Sequence, residues 1–534
     1  MANVEGGDGG LGRMFRRKTV AQIQSEHEHG EIKRSLGPLN LVLLGIGCII
    51  GTGIFVLTGR AAAQFAGPAI MISFVVTGIL CAFVALCYAE LASALPVSGS
   101  AYSYSYASMG EIVAWVMGLL LLLEYGLAAS TVAVGWSGYL VSLLSDNMGI
   151  HIPAALTAPF GAPILDAHGV RIATGVMNLP AILAIAAVTG LLVIGVSESA
   201  QVNNIVVFIK LTVVLAFILI GAHFVKPSLW HPLIPAQVPA PPPGTPMDMG
   251  HQIGRALWDV LTGNHASRYG VGGIIQGAAR IFFAYVGFEA VSTAGAEARN
   301  PSRDMPIGII GSLIICTLLY IATSAVLVGI VPYTSLDNPA PIATAVDQIG
   351  LPWFAVLVKI GAIAGLSSVM LVLVYGQTRI FYTMSRDGLL PSQLATVHKT
   401  FRTPWINTLI VGAAAAGAAG FMSLDQLNDL TSVGSLAAFC GVCVTVIYLR
   451  VTKPGLARPF KSPLFPFTPI AGTVMCLVLL MSLLAQPTTG IFFLIYLVIG
   501  LVIYFAYSMG HSKLGEGIAE GVDETKPADG PWEI

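Results

Sequence analysis

Charge is what this sequence has least of. Asp, Glu, Lys and Arg make up 10% of its 534 residues, where a soluble chain carries about a quarter. The charges are clustered, the stretches between them are long and apolar, and the mean hydropathy is +0.80. This excludes a soluble globular protein and identifies a polytopic membrane protein. A formal net charge of −1 gives no sign of a nucleic-acid partner. Cysteine is absent from every candidate loop: Cys48, Cys81, Cys87, Cys316, Cys440, Cys443 and Cys476 all fall within apolar segments, so no disulfide framework is expected. Cys440 and Cys443 form a C-x-x-C with no second ligand pair, and His27 and His29 are spaced poorly for a metal. No metal and no cofactor is expected. There is no intramembrane H-E-x-x-H, no catalytic aspartate pair and no Ser–His arrangement, which argues against an enzyme. The first 35 residues are polar and hold no apolar core of a signal peptide, so insertion is expected to begin with the first apolar segment.

What the chain does have is twelve apolar segments, at 37–58, 68–95, 112–146, 178–196, 202–224, 273–297, 307–331, 351–384, 405–422, 432–450, 466–486 and 489–508, against a requirement of ~20 residues per crossing. With the N-terminus inside, 18 Lys and Arg fall on the cytoplasmic side. They include Arg16, Arg17, Arg303, Arg386, Arg402 and Arg458. Only Arg60, Arg171, Lys226, Arg255 and Arg268 fall outside, which places both termini in the cytoplasm. The basic stretch "LGRMFRRKTVAQIQ" reads equally as an inner-leaflet amphipathic helix or a solvated tail. In the long external loop, "PAQVPAPPPGTP" reads as extended spacer and "GHQIGRALWDVL" as a short surface helix.

The first segment contains "GIGCIIGTGIFV", residues 45 to 56, with four glycines at mid-span. Each glycine costs a helix interior ~1 kcal/mol relative to alanine. Taken alone, Gly47 and Gly51 have the spacing of a G-x-x-x-G packing face, the commoner use of glycine in membranes. A break at this depth has a different consequence: irregular backbone survives there only where it is buried in protein or lines a cavity. Its free N–H groups suit a carboxylate and its free carbonyls suit an ammonium or a cation, the two ends of an amino acid. Five segments later "IFFAYVGFEAVSTAGAE", residues 281 to 297, carries mid-span Gly287 beside Glu289 and a cluster of aromatics. Paired interrupted segments in corresponding positions point to an inverted-repeat transporter with its site near the midplane. Five segments, five more and then two account for all twelve.

Ionisable residues at membrane depth are functional candidates by default. Here they are Glu90, Glu111, Glu124, Glu198, Lys210, Arg280, Glu289 and Lys359. Glu90, Glu111 and Glu198 sit near segment ends and read as structural, and Lys359 either snorkels or lines a path. Lys210 lies about a third of the way into the fifth segment; it either snorkels or gains and loses a proton during a cycle. Glu124 lies deep in the third, where it can face substrate, pair with Lys210 or support the first break through Thr52. Glu289 reads as a brace for the second break, and Arg280 as a residue that snorkels or screens cations.

The stretches "GIGCIIGTGIFVLTG" (45–59), "YAELASALPVSGSAYSYSY" (88–106), "IFFAYVGFEAVST" (281–293), "YGQTRIFYTMSRDGLLP" (375–391) and "RPFKSPLFPFTPIAG" (458–472) resemble the amino acid–polyamine–organocation superfamily. The chain is most similar to bacterial members of its cationic amino acid transporter branch, over about 36–507. The resemblance implies an all-α polytopic membrane protein with a LeuT-type fold of twelve helices. Its parts would be a cytoplasmic segment 1–35, a first inverted repeat 36–224, an external loop 225–272, a second repeat 273–452, two further helices in 453–508, and a cytoplasmic tail 509–534. It further implies alternating access, with Gly51, Thr52 and Gly53 offering N–H groups and a hydroxyl to the substrate carboxylate. The carbonyls of Ile49, Phe283 and Val286 would accept from its ammonium. Phe283 and Tyr285 would gate, Ser367, Ser368 and Met370 would line the lower side, and Glu124 would approach substrate. Proton-using relatives carry a lysine where Lys210 stands, reaching the unwound carbonyls of the first helix, so proton symport is the expected coupling. The expected function is import of L-amino acids, leaning to neutral ones, in a bacterial inner membrane. An exchanger and a non-transporting sensor are the alternatives, and the expected partners are substrate, protons and membrane lipid. A small membrane partner stays open.

Overall fold

The computed structural model describes residues 14–17, 35–97, 99–165, 171–195, 200–239, 249–262 and 268–513. The expectations for most of the basic N-terminal stretch, His27, His29, Glu198, the end of the Pro-rich spacer and most of the C-terminal tail lie outside these residues. The longer helices run in the order α1 (Pro38–Ile49), α2 (Ile70–Ala94), α3 (Ser100–Ser108), α4 (Glu111–Ser142), α5 (Leu179–Ile194), α6 (Ala200–Gly221), α7 (Met249–Thr262), α8 (Gly270–Ile281), α9 (Pro301–Ile330), α10 (Pro341–Gln348), α11 (Pro352–Arg386), α12 (Trp405–Phe421), α13 (Leu424–Thr452), α14 (Phe467–Leu484) and α15 (Pro487–Ile503). A short antiparallel hairpin, with Ile164 opposite Ala173, decorates the loop between α4 and α5.

Among the described residues, nine helical runs are long and apolar enough to cross a membrane, and α1, α5 and α12 are shorter apolar helices beside them. The chain is an integral membrane protein. Each of the twelve apolar segments carries helix, but 178–196 and 405–422 yield helices of only 16 and 17 residues. The segment 37–58 is divided, and its second part runs on toward α2.

Local chemistry sets the helix ends. At α5 the Asn178 side chain accepts from the Ala181 N–H at 3.2 Å, a proline stands in the first turn, and Gly195 closes the helix at φ 91°. At α13 Ser423 and Gln426 form a reciprocal capping box, so the helix begins eight residues before the apolar run at 432. Along the bundle α2 packs on α9, α4 lies against α11 and α13, and α1 lies against α9 and α6. Three of the intramembrane charges are held in ion pairs, and Glu111 accepts from the Tyr106 and Tyr504 hydroxyls. Glu90 takes two bonds from Arg450, at 2.9 and 2.6 Å, and two from Ser462. Lys359, fully buried, is 3.1 Å from Asp146 and 3.5 Å from Asp347 and also donates to Asn147, so it neither snorkels nor stands open to a path. Arg280 is paired with Asp429 and lies over the Phe65 ring.

Candidate functional site

Both expected interruptions are present. Helix α1 stops at Ile49, Ile50 turns extended at ψ 95°, and the chain resumes at Gly53 in a wide helical turn through Leu57. Helix α8 stops at Ile281 and tightens through Phe282–Tyr285. Val286 then turns extended at ψ 130° and Gly287 takes φ 124°, before a tight helix runs over Glu289–Glu297.

Two glycines let the breaks lie on one another. Gly287 needs its positive φ, and a Cβ there would come 2.8 Å from the Cys48 backbone. Gly53 rests on Ala284 too closely to admit any side chain. Gly51 is different: a Cβ on it would meet Val369 at 3.6 Å, an ordinary contact.

Several carbonyls at the breaks find partners on surrounding helices, and one N–H finds a partner within its own break. The Lys210 ammonium, from α6, donates to the Gly47 carbonyl at 2.8 Å. The Tyr320 hydroxyl, from α9, lies 2.7 Å from the Ile49 carbonyl and 2.9 Å from that of Ala284, and so bridges both breaks. Tyr139 of α4 donates to the Phe55 carbonyl at 2.7 Å. Glu289 accepts from the Gly287 N–H at 2.8 Å, the bracing role expected of it.

Between the breaks lies a small, partly open cavity. Its wall is formed by Cys48, Ile49, Gly51, Thr52 and Gly53 of the first break and by Phe283 and Val286 of the second. Ala128 and Val132 of α4 and Val369 and Leu373 of α11 complete it. Of the expected substrate residues, Ile49, Gly51, Thr52, Gly53, Phe283 and Val286 are therefore gathered in one place. The Thr52 hydroxyl is buried on this wall with no hydrogen-bond partner.

Six expected residues are not on the wall, among them Ser367, which accepts from the Trp136 indole at 2.9 Å, and Ser368. Lys210 stands behind α1, at the Gly47 carbonyl. Met370 is buried one position beyond Val369, which takes the wall position instead. Tyr285 is buried between Phe74 and Tyr320, its hydroxyl donating to the Phe74 carbonyl at 2.8 Å, so it braces the break from behind. Glu124 is fully buried, and neither of its carboxyl oxygens has a hydrogen-bond partner, so it bonds neither Lys210 nor Thr52. Ser435 gives its hydroxyl to the Thr431 carbonyl. Sequence reasoning missed Tyr320, Tyr139 and the aliphatic wall from α4 and α11. The one available signal for the tyrosines was a phenol inside an otherwise apolar span.

Chemically, the wall offers an N–H-rich helix start at 51–53, the end of α1 at Cys48 and Ile49, where the Ile49 carbonyl is shared with the Tyr320 hydroxyl, one free hydroxyl and otherwise apolar surface. An anion is favoured at the first and a cation at the second.

A family model described as amino acid permease matches residues 36–506. A methylthioribose transporter and the branched-chain amino acid permease BcaP, both of Bacillus subtilis (strain 168), are 41% and 43% identical over 506 and 507 residues. Each match covers 95% of this chain and 100% of the relative. Cationic amino acid transporter 3, mitochondrial, of Arabidopsis thaliana is 35% identical over 460 residues, 85% of this chain and 69% of the relative. With an apolar helical bundle, two opposed helix breaks and a match along almost its whole length, the chain belongs to the amino acid permease family of the amino acid–polyamine–organocation superfamily, and it is a transporter rather than an enzyme.

Proposed function

We propose that the protein imports L-amino acids with protons across a bacterial inner membrane. Its twelve helices would form a LeuT-type pair of five-helix repeats, followed by two more, with both termini cytoplasmic. The observation that carries the reading is the cavity walled by both breaks, with the unpartnered Thr52 hydroxyl on it. The substrate carboxylate meets the N–H groups of 51–53 and the Thr52 hydroxyl. The ammonium meets the carbonyls of Ile49, Phe283 and Val286, and the Phe283 ring closes over it. No charged side chain is on the wall, which favours neutral side chains. The relative named for branched-chain amino acids supports that reading, and the one named for methylthioribose makes an uncharged thioether sugar worth including in a substrate panel.

Proton coupling rests on Lys210. Its ammonium holds the end of α1 by the Gly47 carbonyl; losing the proton removes that attraction and lets the N-terminal half of the broken helix shift. Alternating access then follows as membrane segments 1, 2, 6 and 7 rock against segments 3, 4, 8 and 9 around the site. The test is uptake of a labelled panel in proteoliposomes, with and without an inward proton gradient, for wild type and Lys210→Ala. Gradient-driven accumulation lost in the variant supports symport. Gradient-independent exchange retained by the variant makes the protein an exchanger, and no uptake of any compound removes the transport reading in favour of a sensor.

A further inference from the structure

We infer that α7, Met249–Thr262, lies in the membrane interface with its apolar face in lipid, anchoring the loop that leads into α8. At 100° per residue, Met249, Ile253 and Leu257 fall along one side of this helix, while Gln252, Arg255 and Asp259 fall along another. A helix on a protein surface in water turns its apolar stripe toward the protein and its polar side outward. Helix α7 does the reverse. Met249 is 61% exposed, Ile253 42%, Leu257 37% and Trp258 66%, whereas Ala256 is buried and Gln252, Arg255 and Asp259 are half-buried against the protein. Gln252 and Asp259 have partners within the protein. Two of the three inward polar residues thus have partners, and the outward side carries neither Lys, Arg, Asp nor Glu.

The outward side continues a surface that already faces hydrocarbon. Helix α7 packs on α8 and α14. Helix α14 is a candidate membrane span whose Val474, Leu477 and Met481 are exposed in the same way. A tryptophan at the edge of an apolar stripe, on a helix beside the end of a membrane span, suits the headgroup boundary, where one side of the ring is wet and the other is not. The occupant is therefore the bilayer itself. Because α8 is the first half of the second broken helix, lipid contact at α7 bears on the element that carries the substrate site. This consequence rests on the proposed function; the placement of α7 does not.

The test is spin labelling of Ile253→Cys, Leu257→Cys and His251→Cys in proteoliposomes, with the signal of the unsubstituted protein subtracted; six of the seven native cysteines are buried and Cys440 is half-buried. Labels at 253 and 257 are expected to collide several-fold more with oxygen, which concentrates in lipid, than with a water-soluble nickel chelate, and the label at 251 the reverse. Nickel access at 253 and 257 equal to that at 251 overturns the inference in favour of a water-exposed helix. Exclusion of both reagents with spin–spin broadening overturns it in favour of a second copy covering this face. Both readings come from the resting protein, so a failure to transport leaves this test intact.

Discussion

The Lys210 ammonium sits 2.8 Å from the Gly47 carbonyl oxygen, a turn before the point where the first helix breaks, and the side chain is wholly buried. A helix end is electrically negative, so a cation there holds the broken end in place. An uncharged side chain of similar length cannot. Lys210→Met is expected to fold and to reach the membrane at normal levels while losing gradient-driven accumulation at least tenfold. Uptake measured against an imposed pH gradient checks this; unchanged accumulation would reduce the lysine to a structural role.

Gly51 and Gly53 separate binding from packing. A methyl group at Gly51 meets Val369 at an ordinary 3.6 Å, and Gly51 is on the cavity wall. Gly51→Ala is therefore expected to keep the fold and raise the KM of uptake about tenfold, ~1.4 kcal/mol of lost binding. Gly53, by contrast, rests on Ala284. Its valine variant overpacks the junction of the two breaks, at about 1–3 kcal/mol or more, and is expected to lose thermal stability along with transport. Melting curves for the two variants, read beside KM, distinguish the roles.

Tyr320 joins both breaks with one hydroxyl. Tyr320→Phe keeps the ring and its contacts with Phe74 and Tyr285 but leaves two buried carbonyls with one donor fewer. A loss of about 1–3 kcal/mol in stability is expected. Because the Ile49 carbonyl is one of the proposed ammonium acceptors, a change in substrate affinity should accompany it. A variant identical to wild type in both would show that neither carbonyl depends on the phenol.

Arg280 is paired with Asp429, whose side chain is 4% exposed. Arg280→Met leaves that carboxylate without its partner, at a cost of about 3 kcal/mol. The double variant Arg280→Met, Asp429→Leu removes both charges and is expected to recover most of the loss. If Arg280 instead screens cationic substrates, the single variant should admit arginine; competition of labelled leucine uptake by arginine tests this in the same preparation.

Much of the site was legible because its components are costly. Mid-span glycines in Gly45–Gly53 and at Gly287, and charges such as Lys210 and Glu289, stand out against an apolar background, and the two glycine-marked segments signal as a pair. The rest required tertiary structure. Val369 and Met370 are adjacent and both apolar, and which one faces the cavity is a 100° rotation of α11 that an apolar helix does not reveal. Tyr285 lies beside the break in sequence yet points toward Phe74. The Tyr320 bridge joins residues 271 and 36 positions apart, a relation no local pattern carries. The short helices α5 and α12 show the same limit: hydropathy locates them, but caps such as Asn178 and Gly195 decide where they end.

If the two breaks hold both ends of an amino acid, binding to the purified protein depends on the substrate's carboxylate and its ammonium together. Displacement of a labelled neutral L-amino acid should be measured for L-leucine, its methyl ester and N-acetyl-L-leucine. L-leucine should displace the label, and each blocked derivative should bind at least a hundredfold more weakly, since each removes one charged end. A methyl ester or N-acetyl derivative that binds as tightly as L-leucine would contradict it.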